Sequence, residues 1–148
     1  MKRPPIPSPA TGLPRAGLLR RLGAMFYDTL LVLALLFVAT AAAMPFGGGA
    51  RIAHDNPLFP AYLLAVIYLF FAWFWIHGGQ TLGMRAWKLR VQRMDGRPLG
   101  WLQSLLRFMA AIAALLPLGL GLWWLLFDRE GLAWHDRFSE SEVVVLPN

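Results

Sequence analysis

The chain has 148 residues, of which 57% are hydrophobic and only 15% charged; its formal net charge is +6 and it contains no cysteine. A soluble domain carries about 25% charged residues, so this composition excludes an ordinary soluble fold and indicates one membrane domain. The missing cysteines exclude disulfides, thiolate metal sites and cysteine nucleophiles.

Residues 1–16 hold Pro4, Pro5, Pro7, Pro9 and Pro14 with Ser8 and Thr11, and read as a disordered, extended proline-rich tail. The membrane domain is expected over 17–148. Its first segment, about 22–43, follows Arg20 and Arg21 and is apolar apart from Asp28. About 20 apolar residues suffice to cross the hydrocarbon core, so this segment spans. Ala41-Ala42-Ala43 resembles a signal-peptide cleavage site. The apolar run exceeds the roughly 7 to 15 residues of a signal core, however, and the segment is expected to stay. An ionised carboxylate at a helix centre costs about 3 kcal/mol on insertion scales, so Asp28 needs a partner, a wet cavity or a function.

The second segment, about 58–76, lies between Pro57 and His77-Gly78-Gly79, is uncharged and also spans. The glycine-rich stretch from Gly78 to Gly83 lacks the lysine and strand context of a phosphate cradle and reads as a tight membrane-exit turn. From Trp87 to Val91 apolar and charged residues alternate, and Asp95-Gly96 follows, which predicts a short β-hairpin. Its return strand must be brief, because Pro98 cannot donate to a ladder.

The third segment, about 102–127, is interrupted by Pro117, Gly119 and Gly121. A continuous helix from Trp101 would be roughly 40 Å long and would carry the tail across the membrane. A break at Pro117 would instead make the segment re-entrant, a form tolerated when packed against protein. A β-like run at 142–146 would pair with the hairpin if both lie on one face, which favours the re-entrant form. The expected fold is an all-α membrane protein: two transmembrane helices, a third Pro/Gly-broken membrane segment and a short cytoplasmic β-hairpin.

Lys2, Arg3, Arg15, Arg20 and Arg21 flank the first segment, and Arg85, Lys88, Arg90, Arg93 and Arg97 follow the second, with Arg51 alone between the two. The positive-inside rule therefore puts the N-terminus and the second loop in the cytoplasm and the Pro45 to Pro57 connection on the other side. These juxtamembrane charges match anionic lipid headgroups and form no separate basic domain for nucleic acid.

Arg21 with Asp28 seven residues later, Gly79-Gln80-Thr81-Leu82-Gly83, Lys88-Leu89-Arg90-Val91, Asp95-Gly96, Arg107 and the closing Trp134-His135-Asp136-Arg137 together resemble the RDD family of bacterial membrane proteins. The resemblance runs from about Gly17 to Leu146. It implies that the name-giving positions are Arg21, Asp28 and Asp136, that the protein sits in a bacterial plasma (inner) membrane, and that its role is transport, with cations exchanged against protons as the suggested chemistry. Many relatives carry a basic residue where Met84 stands here.

The residues themselves support two functional classes. Arg21 and Asp28 share a helix face about 10 Å apart along the axis, too far for an easy direct pair. Arg107 is therefore the expected partner of Asp28, and Arg21, Asp28, Arg107 and Asp136 form the candidate transport or buried-charge site. In the transport reading Asp28 accepts a proton or small cation, and a chain with three membrane segments would form a homo-oligomer or join a membrane-protein partner. In the other reading the chain is a non-catalytic assembly or regulatory subunit. His135 beside Asp136 is either an interfacial histidine or a proton relay titrating near neutral pH. No cofactor or metal is expected, since His54, His77 and His135 lack ligand spacing, and no nucleophile, base and orienting group recur as an enzyme set. The tryptophans near segment ends read as an aromatic belt, and Ala110-Ala111 and Ala113-Ala114 as places of close helix approach.

Overall fold

The computed structural model describes residues 6–47 and 56–147. Lys2, Arg3, Arg51 and residues 48–55 of the connection between the first two segments lie outside the described residues. Helix α1 spans Leu18–Gly47. It continues beyond the uncharged stretch at both ends and is roughly 45 Å long at 1.5 Å per residue. Pro45 falls in its final turn. Helix α2 spans Leu58–Ile76. It starts where the Asn56 side chain accepts from Leu58 N at 3.0 Å, and stops at Gly78 and Gly79, whose positive φ angles of 115° and 70° leave helical space. Leu18–Phe46 and Leu58–Ile76 are both long and apolar enough to cross a bilayer. Their side chains stay largely uncovered by the rest of the chain, as expected of surfaces that face lipid.

Short helix α3 (Leu82–Ala86) follows, with Thr81 at its N-cap accepting from Met84 N at 3.2 Å. Strand β1 (Leu89–Arg93) then pairs antiparallel with β2 (Ser141–Val145), in a register that sets Leu89 opposite Val145 and Val91 opposite Val143. The expected local hairpin does not form. Asp95-Gly96 makes a turn, with Gly96 N donating to Arg93 O at 2.9 Å, and Pro98 sends the chain straight towards the next helix. The return strand is supplied by the chain's other end. The disordered tail is likewise corrected over residues 6–16. Proline cannot donate along a ladder but can accept, and Val145 N donates to Pro14 O at 2.8 Å while Ala16 N donates to Val143 O at 2.8 Å. Strand β2 is therefore flanked on both edges.

Helix α4 spans Trp101–Leu115. Its start is closed by Gly100 N donating to Gln103 Oε1 at 3.1 Å. Beyond it, Leu118 and Gly119 take φ of 56° and 75°, and the chain resumes as α5 (Leu120–Trp123) and a 3-10 turn (Trp124–Leu126) after a bend of 102°. Pro117 has no amide to continue the helix, and left-handed geometry at Gly119 carries no Cβ penalty. Gly121 then packs directly on α4: a Cβ there would meet that of Ala114 at 2.4 Å. Close approach at the alanine pair thus occurs within the chain. Helix α6 (Trp134–Phe138) leads into β2. Because β2 pairs with β1, the bent segment returns to the end of the molecule that it left, as the re-entrant reading requires. Ala16, Ala24, Trp75, Met84, Leu89, Val91, Phe108 and Val143 form the core where spans, bent segment and sheet meet.

Candidate functional site

Three of the four expected site residues meet at one point beneath the sheet. Asp136, 0% exposed at the third position of α6, accepts from Arg21 Nη1 through Oδ2 and from Arg107 Nη1 through Oδ1, each at 2.6 Å. Ala133 N also donates to Oδ2, at 3.1 Å. Arg21 Nε donates to Ala16 O at 3.1 Å, and Arg107 Nη1 also donates to Ser141 Oγ at 2.8 Å. The guanidinium of Arg107 lies 5.4 Å from the centre of the Trp75 ring, a cation–π contact that fixes its plane. Burial pushes the Asp136 carboxyl up, but the two guanidiniums outweigh it and hold the group well below the usual carboxylate range.

Asp28 stands apart, and the expected Asp28–Arg107 pair is not formed. Asp28 is taken by α3: Thr81 Oγ1 donates to Oδ2 at 2.5 Å and Gly83 N donates to Oδ1 at 2.9 Å. Arg107 instead shares Asp136 with Arg21. The fit between α1 and α3 depends on glycine, since a Cβ on Gly83 would lie 2.2 Å from Ala24 O.

His135 does not titrate near neutral pH. Burial lowers its pKa to about 3 even though Asp136 lies 3.7 Å away, so the ring is neutral and the relay role falls. A second buried polar cluster escaped the sequence reading. Glu142, opposite Gln92 in the sheet, accepts from Ser8 Oγ, from Arg15 Nε at 2.8 Å and from Gln92 Nε2 at 2.9 Å. An acid directly before a run of three valines was its only signal in the sequence.

A cavity of about 320 Å³ opens between α1, α2 and α4. Arg21, Asp28, Arg107 and His135 reach its wall, which is otherwise mostly apolar, with Ile67, Phe71, Trp75, Phe108, Ile112 and Leu122 among its lining. Few convergent polar groups in an apolar enclosure are the usual make-up of a small-molecule site, and the volume lies at the lower end of that range.

No curated protein and no solved structure matches this chain. The model of the RDD family matches residues 15–140, a stretch that takes in both spans, the bent segment and all four charged positions; the chain belongs to the RDD family.

Proposed function

We propose that this chain is a transport protein of the bacterial plasma membrane that admits a small solute to the cavity between α1, α2 and α4, with Asp28 as the group that takes up a proton or small cation. The observation that carries this reading is the bonding of Asp28. Its carboxylate lies on the cavity wall and is held by two neutral donors, so its charge is not spent on an arginine. A carboxylate can accept about four hydrogen bonds, which leaves acceptor capacity for an exchanging ion. Arg21 and Arg107 complete the charged rim, and Asp136 fixes them.

The test is cation-driven proton movement in proteoliposomes loaded with a pH-sensitive dye. Adding Na⁺ or K⁺ should shift the internal pH with the native chain and not with Asp28→Asn, while the variant keeps its unfolding transition. No cation-driven shift with the native chain, or an unchanged shift with the variant, would overturn the reading.

The N-terminus and the sheet belong on the cytoplasmic face in this proposal, because Arg15, Arg85, Arg90, Arg93 and Arg97 gather about the sheet. A cysteine at Pro147, exposed and beyond β2, should react with a membrane-impermeant thiol reagent in inverted vesicles only. Labelling in intact cells would reverse the orientation.

The assembly-subunit reading keeps one supporting observation. Only 6% and 11% of the most apolar windows of α1 and α2 are buried within the chain, so broad faces are available to a second copy or another membrane protein. The sheet is a poor partner surface by comparison, since Glu142, Val143 and Val144 are already buried.

A further inference from the structure

Arg21 and Arg107 are each only 4% exposed, yet neither guanidinium is fully satisfied. Among the described residues Arg21 Nη2 and Arg107 Nε are buried without an acceptor, and His135 Nδ1 is buried without a partner; all three residues line the cavity. A buried N–H left unmade is costly, the more so on a charged group. The charge count points the same way. Two guanidiniums share the single carboxylate of Asp136, so neither has an anion to itself. Asp28 is engaged with Thr81 and Gly83 and bonds to neither arginine.

We infer that the cavity is a binding site for an anionic amphiphile, a carboxylate or phosphate head on an aliphatic chain. The head accepts from Arg21 Nη2 and Arg107 Nε, and the chain lies against Ile67, Phe71, Phe108, Ile112 and Leu122. An anion supplies what both guanidiniums lack, and charge-assisted bonds in a dry site are about twice as strong as neutral ones. Neither N–H is open to solvent, so the head reaches it by displacing the side chains that cover it. The aliphatic part is required by the walls: a hydrated inorganic anion would give up its water to face hydrocarbon. The inference shares the cavity with the proposed transport but does not need ion movement.

Native mass spectrometry of the full chain in dodecyl maltoside tests it, with dodecanoate, dodecyl phosphate, dodecanol, acetate and inorganic phosphate as probes. Dodecanoate and dodecyl phosphate should be retained about tenfold more tightly than dodecanol. Leu64→Trp, which fills the cavity from α2, a helix that carries none of Arg21, Arg107 and Asp136, should abolish retention. Arg107→Lys keeps a cation for Asp136 but lacks the Nε–H, and should weaken it about tenfold. Competition by phosphatidate in mixed micelles would identify a bilayer lipid as the natural source, and its failure a free fatty acid or monoester; either is this ligand class. Equal retention of dodecanol would leave only an apolar hole, equal retention of acetate or phosphate only a small-anion site, and no retention at all would leave water on the arginines. Each of these overturns the inference. Cation-driven flux surviving any of them would leave the proposed transport standing, and amphiphile binding without flux would do the reverse.

Discussion

Asp28 and Asp136 are both buried aspartates, 5% and 0% exposed, yet they solve burial in opposite ways. Asp136 is surrounded by charge, with a guanidinium on each oxygen; Asp28 is surrounded by neutral donors from one short turn. The first arrangement locks three elements, α1, α4 and α6, through one carboxylate. The second fastens α3 to α1 and leaves the carboxylate's charge free of any direct cationic neighbour. One acid is saturated by two guanidiniums, and the other is held by neutral donors alone.

Substitution should separate the two sharply. Asp136→Asn leaves two guanidiniums without their anion, and breaking a buried pair in this way costs about 3 to 5 kcal/mol. The expected result is loss of the folded chain, or a greatly lowered thermal transition in detergent; a transition within a degree or two of the native one would remove the distinction. Acidification probes the same cluster through His135. With a folded pKa of about 3 against an ordinary 6.5, the neutral histidine contributes stability that is whole above pH 6.5 and is lost as the pH falls towards 3. The loss should approach about 1.4 kcal/mol per pH unit. Asp136, whose folded value is depressed, adds its own pH dependence at more acid values, so the histidine's share is the difference between the native chain and a variant without the ring. A chemical-denaturation series should show the slope in the native chain and its absence in His135→Gln; equal slopes would show that the ring is not buried neutral.

Gly83→Ala sharpens the comparison on the Asp28 side. The added Cβ would collide with Ala24 O, and overpacking of this kind costs about 1 to 3 kcal/mol. Thermal stability should fall, and Asp28 should lose the Gly83 amide first; a stable variant would mean that α3 is not held against α1. Smallest of all should be Thr81→Ala, which removes a helix cap and one donor to Asp28, for about 1 kcal/mol. If it proved as damaging as Asp136→Asn, the two aspartates would not differ in kind.

Much of this was legible in the residues. Uncharged runs, their proline and glycine borders, and the interruption at Pro117 carry local information that helix geometry translates directly, and α2 ends where its borders fall. Partner choice was less legible. Charge alone assigns Asp28 to Arg107, because spacing describes side chains along one helix, whereas its donors are a hydroxyl and an amide 53 and 55 residues away. A backbone N–H leaves no mark in a sequence. The hairpin failed for a related reason: alternation identifies a strand but not its partner, and Pro98 removed the local one. The proline-rich segment misled because proline advertises what it cannot donate, while Pro14 contributes what it can accept.

The position of Asp136 so late in the chain also dictates an order of events during synthesis. Chains emerge from the ribosome N-terminus first, so α1, α2 and α4, carrying Arg21 and Arg107, are made before their shared anion exists. Until α6 arrives, both arginines must keep to the headgroup layer, where long cationic side chains can snorkel. Strand β2 then closes the sheet against β1 and residues 14–16 and draws the charges inward. Arrival of α6 and β2, and not insertion of the spans, is thus the step that seals this protein's interior.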